Sequence, residues 1–140
     1  MSKAIFYELG EIDDSRLTFA NIVSRYNGKW VYCKNKKRAW EIPGGRREKG
    51  ENILDTAKRE LYEETGALEY DLEPVCIFMF GEAGYYGLIC YADIKKFGEL
   101  PDNSEMEKID FFDTPPENIS FPDIYPHWVE KILKSKNLQK

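Results

Sequence analysis

The sequence predicts an α/β fold of the α+β kind, a mixed β-sheet sandwiched between helices. Three observations predict it. Short apolar runs bounded by turn residues recur along the chain, and they outnumber the helical stretches. Two segments instead carry their apolar residues at helical spacing, one mid-chain and one near the end. The 140 residues are enough to bury a core. With 42% apolar and 14% aromatic residues, the composition is globular and not that of a disordered chain. One domain spanning 1–140 is the natural reading.

Taken in order, residues 4–9 read as a first strand and 17–26 as a second. Asn27-Gly28 is a turn signal, and 29–33 is the returning strand of a hairpin. The basic cluster 34–38 reads as a solvated loop. Residues 39–42 form a short strand, stopped by Pro43-Gly44-Gly45, and a polar loop follows. Residues 73–80 and 85–94 are two strands joined as a hairpin by Glu82-Ala83-Gly84, and 108–112 is another. A loop opens at Pro115-Pro116 and runs to Pro126. The closing helix spans 128–136, with Trp128, Val129, Ile132 and Leu133 on one face.

The central helix is signposted at both ends. Asn52 is a good N-cap with Asp55 three residues on, and Gly66 suits a left-handed C-cap. At about 100° per residue, Ile53, Leu54, Ala57 and Leu61 share a core face, while Asp55, Lys58 and Tyr62 face solvent. Glu60, Glu63 and Glu64 cluster on a third arc. Like charges at these spacings oppose one another by ~0.2–0.5 kcal/mol per pair. The helix C-terminus disfavours anions by a further ~0.3–1 kcal/mol. A hard divalent cation would reverse both penalties, and magnesium prefers such oxygen ligands.

From Gly45 to Ala67 the chain reads GRREKGENILDTAKRELYEETGA. This resembles the box of the Nudix hydrolases: Gly, five residues, Glu, seven residues, Arg-Glu, an aliphatic, any residue, Glu-Glu, any residue, Gly and a final aliphatic. Gly45, Glu51, Arg59, Glu60, Leu61, Glu63, Glu64 and Gly66 match at the right spacing. Ala67 departs, being smaller than the usual aliphatic. The preceding Trp40-Glu41-Ile42-Pro43-Gly44 is similar to that family's lead-in strand, and the whole chain resembles its MutT- and YtkD-like nucleoside triphosphate pyrophosphatases.

The resemblance implies a Nudix fold and hydrolysis of a diphosphate bond in a nucleoside triphosphate, with 8-oxo-dGTP or a related purine dNTP as the expected substrate. RNA 5′-pyrophosphohydrolysis and dinucleoside polyphosphate hydrolysis are the alternatives, and a non-catalytic nucleotide sensor is the alternative of another class. It also implies that Glu60, Glu63, Glu64 and the Gly44 carbonyl hold Mg2+ (or Mn2+). Arg59 would pair with an acidic residue such as Glu51 and orient the cluster. The general base would be Glu63 in the box, or Glu105 or Glu107 on a later loop. Trp40 and Phe80 are candidates to stack on a base, and Glu41 on the lead-in strand joins them as a substrate-binding candidate. Arg25, like Arg46 and Arg47, is a candidate phosphate ligand. Asp123 sits where related enzymes often read the base.

Other chemistries are narrowed. The net charge of −5 argues against a long nucleic acid as partner, because such binding calls for a basic surface. His127 is the only histidine, which leaves little for a histidine-rich zinc site. Cys33, Cys76 and Cys90 lie in apolar runs with no metal-ligand spacing and read as buried thiols, which suits a cytoplasmic protein. No run approaches the ~20 apolar residues of a membrane span. The expected partner is a small nucleotide, and the protein is expected to be a monomer or a homodimer.

Overall fold

The computed structural model describes residues 5–81 and 84–138. The expected strand residue Ala4, and Glu82-Ala83 of the expected hairpin link, lie outside the described residues. The strands are β1 (Phe6–Tyr7), β2 (Leu17–Tyr26), β3 (Lys29–Asn35), β4 (Trp40–Glu41), β5 (Gly44–Arg46), β6 (Ala67–Phe80), β7 (Tyr85–Phe97) and β8 (Met106–Phe112). The helices are α1 (Ile53–Thr65), between β5 and β6, and α2 (Tyr125–Ser135), after β8.

The strands form one mixed sheet in the order β1-β6-β7-β2-β3-β4, with β5 joined to β2 and β8 to β3. Strands β2 and β7 pair in parallel at its centre, while the other pairs are antiparallel. Side chains on a strand alternate between faces, and the two halves of the core show it. Ile22, Val31, Ile77, Leu88 and Cys90 pack with Ile53, Ala57 and Leu61 of α1. Their neighbours Val23, Trp30, Tyr32, Cys76, Phe78 and Ile89 pack with Tyr125, Trp128, Val129 and Ile132 of α2. The helices therefore cover opposite faces of the sheet, the expected sandwich.

Helix α1 has the expected ends. Asn52 Oδ1 accepts from the Asp55 N–H at 2.9 Å, and its own amide donates to Asp55 Oδ2 at 2.8 Å. Gly66 takes the left-handed conformation at φ 77°, and its N–H donates to the Tyr62 carbonyl. The core face is not quite as expected. Leu54 is exposed and Thr56 is fully buried instead. The buried arc turns away from Leu54 because the Thr56 hydroxyl finds partners there, donating to Glu51 Oε1 at 2.9 Å. Glu60 also lies in the buried arc.

Several other elements differ from expectation. The first strand, expected over 4–9, is only Phe6–Tyr7, and the basic cluster is strand at its start, because Lys34 and Asn35 of β3 pair with β8. Strand β7 runs on to Phe97 and β8 starts at Met106. The Gly44–Arg46 stretch, read as a stop and a loop, is strand β5, paired with Phe19, Ala20 and Asn21 of β2. A Cβ on Gly44 would fall 2.7 Å from the Ala20 carbonyl oxygen, so glycine here permits a close strand contact. Strand β6 begins at Ala67 rather than near Glu73, because register shifts at Ala67/Glu69, Glu69/Tyr70 and Pro74/Cys76 break the alternation that marks a strand. Helix α2 begins at Tyr125, with Pro126 in its first turn, where a missing N–H costs nothing. All three cysteines are free and buried, as expected. No helix among the described residues is long and apolar enough to cross a membrane.

Candidate active site

Arg59 is the hub of the carboxylate cluster. Its Nε donates to Glu51 Oε2 at 2.6 Å and its Nη2 to Glu51 Oε1 at 3.0 Å, a bidentate clasp. Its Nη1 donates to Glu60 Oε1 at 2.8 Å and Glu63 Oε1 at 3.1 Å. Its Nη2 also donates to the Arg46 carbonyl at 2.9 Å, which ties α1 to β5. The expected Arg59–Glu51 pair is therefore present, and Arg59 also restrains two of the three expected metal-binding carboxylates.

The third carboxylate turns the other way. Glu64 Oε1 accepts from the Gly44 N–H at 2.8 Å. Burial pushes the Glu64 carboxyl up to about 8, against the pull of that N–H and aided by the charges of Glu60, Glu41 and Glu105. Burial also raises Glu60, although Arg59 offsets part of the effect. Glu51 is held down to about 2 by the Arg59 guanidinium, helped by the Glu48 N–H. Glu63 has the most open carboxylate of the three, with 42% of its side chain exposed.

The donor set suits a hard cation: carboxylates and a nearby glycine backbone, with no soft ligand among them. Gly45 keeps that space open, since a Cβ there would fall 2.7 Å from Glu60 Oε1. Among the described residues no group of three His, Cys, Asp or Glu side chains already converges as a cage. Arg59 engages Glu60 and Glu63 while Glu64 faces Gly44, so the carboxylates would have to swing together around an ion.

Beside the cluster lies a cleft of about 340 Å3 between β2, β5 and α2. Phe19, Phe80, Phe121 and Trp128 give it aromatic walls, and Glu41 and Arg38 border it. Phe80 stands 5.3 Å from Phe19 and 5.9 Å from Trp128, ring centre to ring centre. Glu41 is buried, paired with Arg38 Nε at 3.0 Å, and accepts from the Ser120 hydroxyl at 2.8 Å.

A sequence profile of the NUDIX domain matches residues 14–113, which takes in this cluster and seven of the eight strands. The chain belongs to the NUDIX domain family. It is 33% identical over 101 residues to YtkD of Bacillus subtilis (strain 168), provisionally named an 8-oxo-dGTP diphosphatase; the match covers 71% of this chain and 64% of YtkD. A shorter match, 54% identical over 35 residues, covers 25% of the chain and 28% of an 8-oxo-dGTP diphosphatase from Buchnera aphidicola. The chain thus spans less than two thirds of the length of these relatives. The crystal structure of the Bacillus subtilis pyrophosphohydrolase BsRppH superposes with a TM-score of 0.81 and 26% identity, covering 98% of this chain and 92% of that one.

Around the NUDIX cluster the other candidates divide. Phe80 and Glu41 border the cleft. Glu105 begins the turn into β8, where its carbonyl accepts from the Lys36 N–H and its charge reaches Glu64. Glu107 is exposed, at the β3–β8 register shift between the Lys34–Lys108 and Asn35–Met106 pairs. Trp40 does not border the cleft; it packs edge-on against Phe112 at 5.1 Å. Asp123 is exposed, and its neighbours Phe121 and Ile124 face the cleft instead. Arg25 stays at the β2–β3 hairpin, donating to the Gly28 carbonyl at 2.7 Å with its guanidinium over Trp30. Sequence reasoning missed Phe19 and Asn21. Their only signal is a shared face on β2, two residues apart, and which face meets β5 depends on a distant pairing.

Proposed function

We propose that this chain is a NUDIX hydrolase that cleaves a diphosphate bond of a nucleoside triphosphate, releasing the monophosphate and pyrophosphate. An 8-oxo-dGTP-like purine dNTP is the leading substrate, because two relatives carry that activity in their names. The observation that carries the reading is the Arg59-clasped carboxylate cluster lying directly beside an aromatic cleft. The whole chain, 1–140, is taken as one such domain.

Divalent metals serve NUDIX hydrolases generally. Mg2+ or Mn2+ held here by Glu60, Glu63, Glu64 and the Gly44 carbonyl would neutralise phosphate charge and acidify a bound water. The chain's own groups do the rest. Arg59 fixes Glu60 and Glu63 from α1 and anchors them to β5 through the Arg46 carbonyl. Phe80 and Phe19 offer ring faces for a base, while Glu41 offers carboxylate oxygens to its N–H groups. Glu63 is the favoured proton acceptor, since it is the most open carboxylate in the cluster; Glu105 is the alternative, close enough to act on Glu64.

The test is phosphate release from dNTPs, 8-oxo-dGTP and 5′-triphosphorylated RNA, with magnesium or EDTA and with or without added inorganic pyrophosphatase. Magnesium-dependent signal that needs pyrophosphatase supports the reading. Glu63→Gln should then cut kcat by about 100-fold or more while nucleotide binding survives. Equal inertness of wild type and variant, with tight nucleotide binding by both, would establish a sensor instead.

A further inference from the structure

A cavity of about 1080 Å3 lies between β3, α2 and the loop after β8. It is larger than the cleft beside the carboxylates and shares no lining residue with it. The loop divides the two: Ile119 and Pro122 face the cavity, while Phe121 and Ile124 face the cleft. On α2, Val129 and Leu133 line the cavity, and Trp128 lines the cleft. The volume is at about the upper end of the ~300–1,000 Å3 usual for small-ligand sites.

The β3 side of the cavity holds two buried aromatic residues whose polar tips are unpaired. Trp30 and Tyr32 are each 2% exposed. Neither the Trp30 indole N–H nor the Tyr32 hydroxyl has a hydrogen-bond partner among the described residues, although buried tryptophans and tyrosines usually find one. Fully enclosed unpaired side-chain atoms occur only on Asn21, Ser24, Arg25 and Trp128 among the described residues. The Trp30 and Tyr32 tips are thus unpaired without being enclosed, and the space open to them is the cavity they line. Apolar walls with a few polar groups converging on the space between them are how proteins hold a small organic molecule.

The rim sets the sign of charge that suits this space. Lys134, the one cation lining it, is paired with Glu130 at 3.0 Å. Asp113 has only Lys29 at 3.8 Å and keeps 85% of its side chain exposed. Glu117 is exposed and has no ion-pair partner among the described residues. The Arg25 guanidinium lies 4.7 Å from the centre of the Trp30 ring but does not line the cavity. A phosphate group here would meet two acids and no free cation, so a nucleotide carries the wrong charge.

We propose that this cavity is a second binding site, for a small aromatic molecule with a cationic amine at one end and a hydrogen-bonding oxygen at the other. The amine would lie at the rim near Asp113 and Glu117, and the oxygen would meet the Trp30 N–H and the Tyr32 hydroxyl.

Titration of the full chain with tyramine, followed by the indole N–H resonance of Trp30, tests this. The controls are phenethylamine, which lacks the hydroxyl, and 4-hydroxyphenylacetate, which carries the opposite charge. Tyramine should give a saturable shift with a Kd on the order of 1 mM. It should bind about 3-fold or more tighter than either control. Tyr32→Phe should erase its advantage over phenethylamine, and Glu117→Gln, at an exposed position, should narrow its advantage over 4-hydroxyphenylacetate. Leu133→Trp, which fills the cavity, should abolish the shift; if that variant does not fold, the other two still decide. No saturation, or equal affinity for all three compounds, overturns the inference. A preference for tyramine that survives both Tyr32→Phe and Glu117→Gln overturns it too, by placing the compound elsewhere. A Trp30 shift that appears on raising protein concentration without tyramine, and is lost in Leu133→Trp, would assign the cavity to a second copy of the chain instead. No arm of this test needs turnover, so its failure and that of the hydrolase reading are separate.

Discussion

Glu60 is buried and charged, and Arg59 is its only ion-pair partner among the described residues. Removing one side of such a pair leaves the other uncompensated, which typically costs ~3–5 kcal/mol. Arg59→Ala should therefore destabilise the protein by about 3 kcal/mol in urea unfolding. Arg59→Lys should recover little of that, because an ammonium cannot reproduce a planar fork that reaches Glu51, Glu60 and Glu63 together. Glu64 and Glu51 bias stability in opposite directions with pH. The folded carboxyl of Glu64 titrates near 8, above its unfolded value near 4.5, so its contribution is fully present below about pH 4.5 and is lost as pH rises towards 8. Glu51, held near 2, contributes above about pH 4.5 and loses that contribution as pH falls towards 2. In EDTA, the melting temperature should fall between pH 5 and pH 8, and Glu64→Gln should flatten that fall. An unchanged slope in the variant would assign the loss to other groups.

At the scale of elements, the ends of α1 were legible because capping is local chemistry. Asn52, Asp55 and Gly66 act within a few residues of one another. Gly66→Ala should cost more than the ~1 kcal/mol of a lost left-handed glycine, because a Cβ there would also fall 2.8 Å from the Gly98 carbonyl oxygen. Asn52→Ala should cost about 1 kcal/mol. Both are readable from thermal melts of otherwise unaltered protein. The carboxylate cluster was legible for the same local reason, its members lying on successive turns of one helix. Strand β5 was not legible, since Gly44-Gly45 is a turn signal until β2 lies against it. The cleft was half legible. Phe80 and Glu41 border it, but Arg25, chosen for its side-chain chemistry, and Asp123, chosen for its place in the resemblance, do not. Whether such a side chain reaches the cleft depends on where α2 starts and how the β2–β3 hairpin turns, and both are decided by tertiary packing.

At the scale of the whole molecule, two core layers share one sheet, and the cleft opens into the α2 layer. Trp128 is almost fully buried and packs edge-on against Phe78 and Phe80. Trp128→Ala should cost ~3–5 kcal/mol and also weaken nucleotide binding, as it removes a cleft wall. A comparable truncation on the other layer, Leu61→Ala, should cost ~2–5 kcal/mol by the cavity it leaves. Its effect on nucleotide KM should be smaller, because Leu61 does not border the cleft. Equal KM effects from the two substitutions would show that the layers respond as one.

The parallel pairing of β2 with β7 also sets how the chain reaches this state. Leu17 meets Tyr86 and Tyr26 meets Ile94, so the sheet's central seam joins stretches separated by α1 and β6. A long loop must lose its freedom before that seam yields any contact energy. The hairpins β2–β3 and β6–β7 and the well-capped α1 can form locally, while the seam must wait. Refolding should therefore fall towards the millisecond-to-second range of chains dominated by distant contacts, which stopped-flow tryptophan fluorescence can read through Trp30 and Trp128. A protein whose cluster sits on an early-forming helix, and whose cleft closes only with the seam, would acquire its carboxylates' order before its ability to hold a nucleotide.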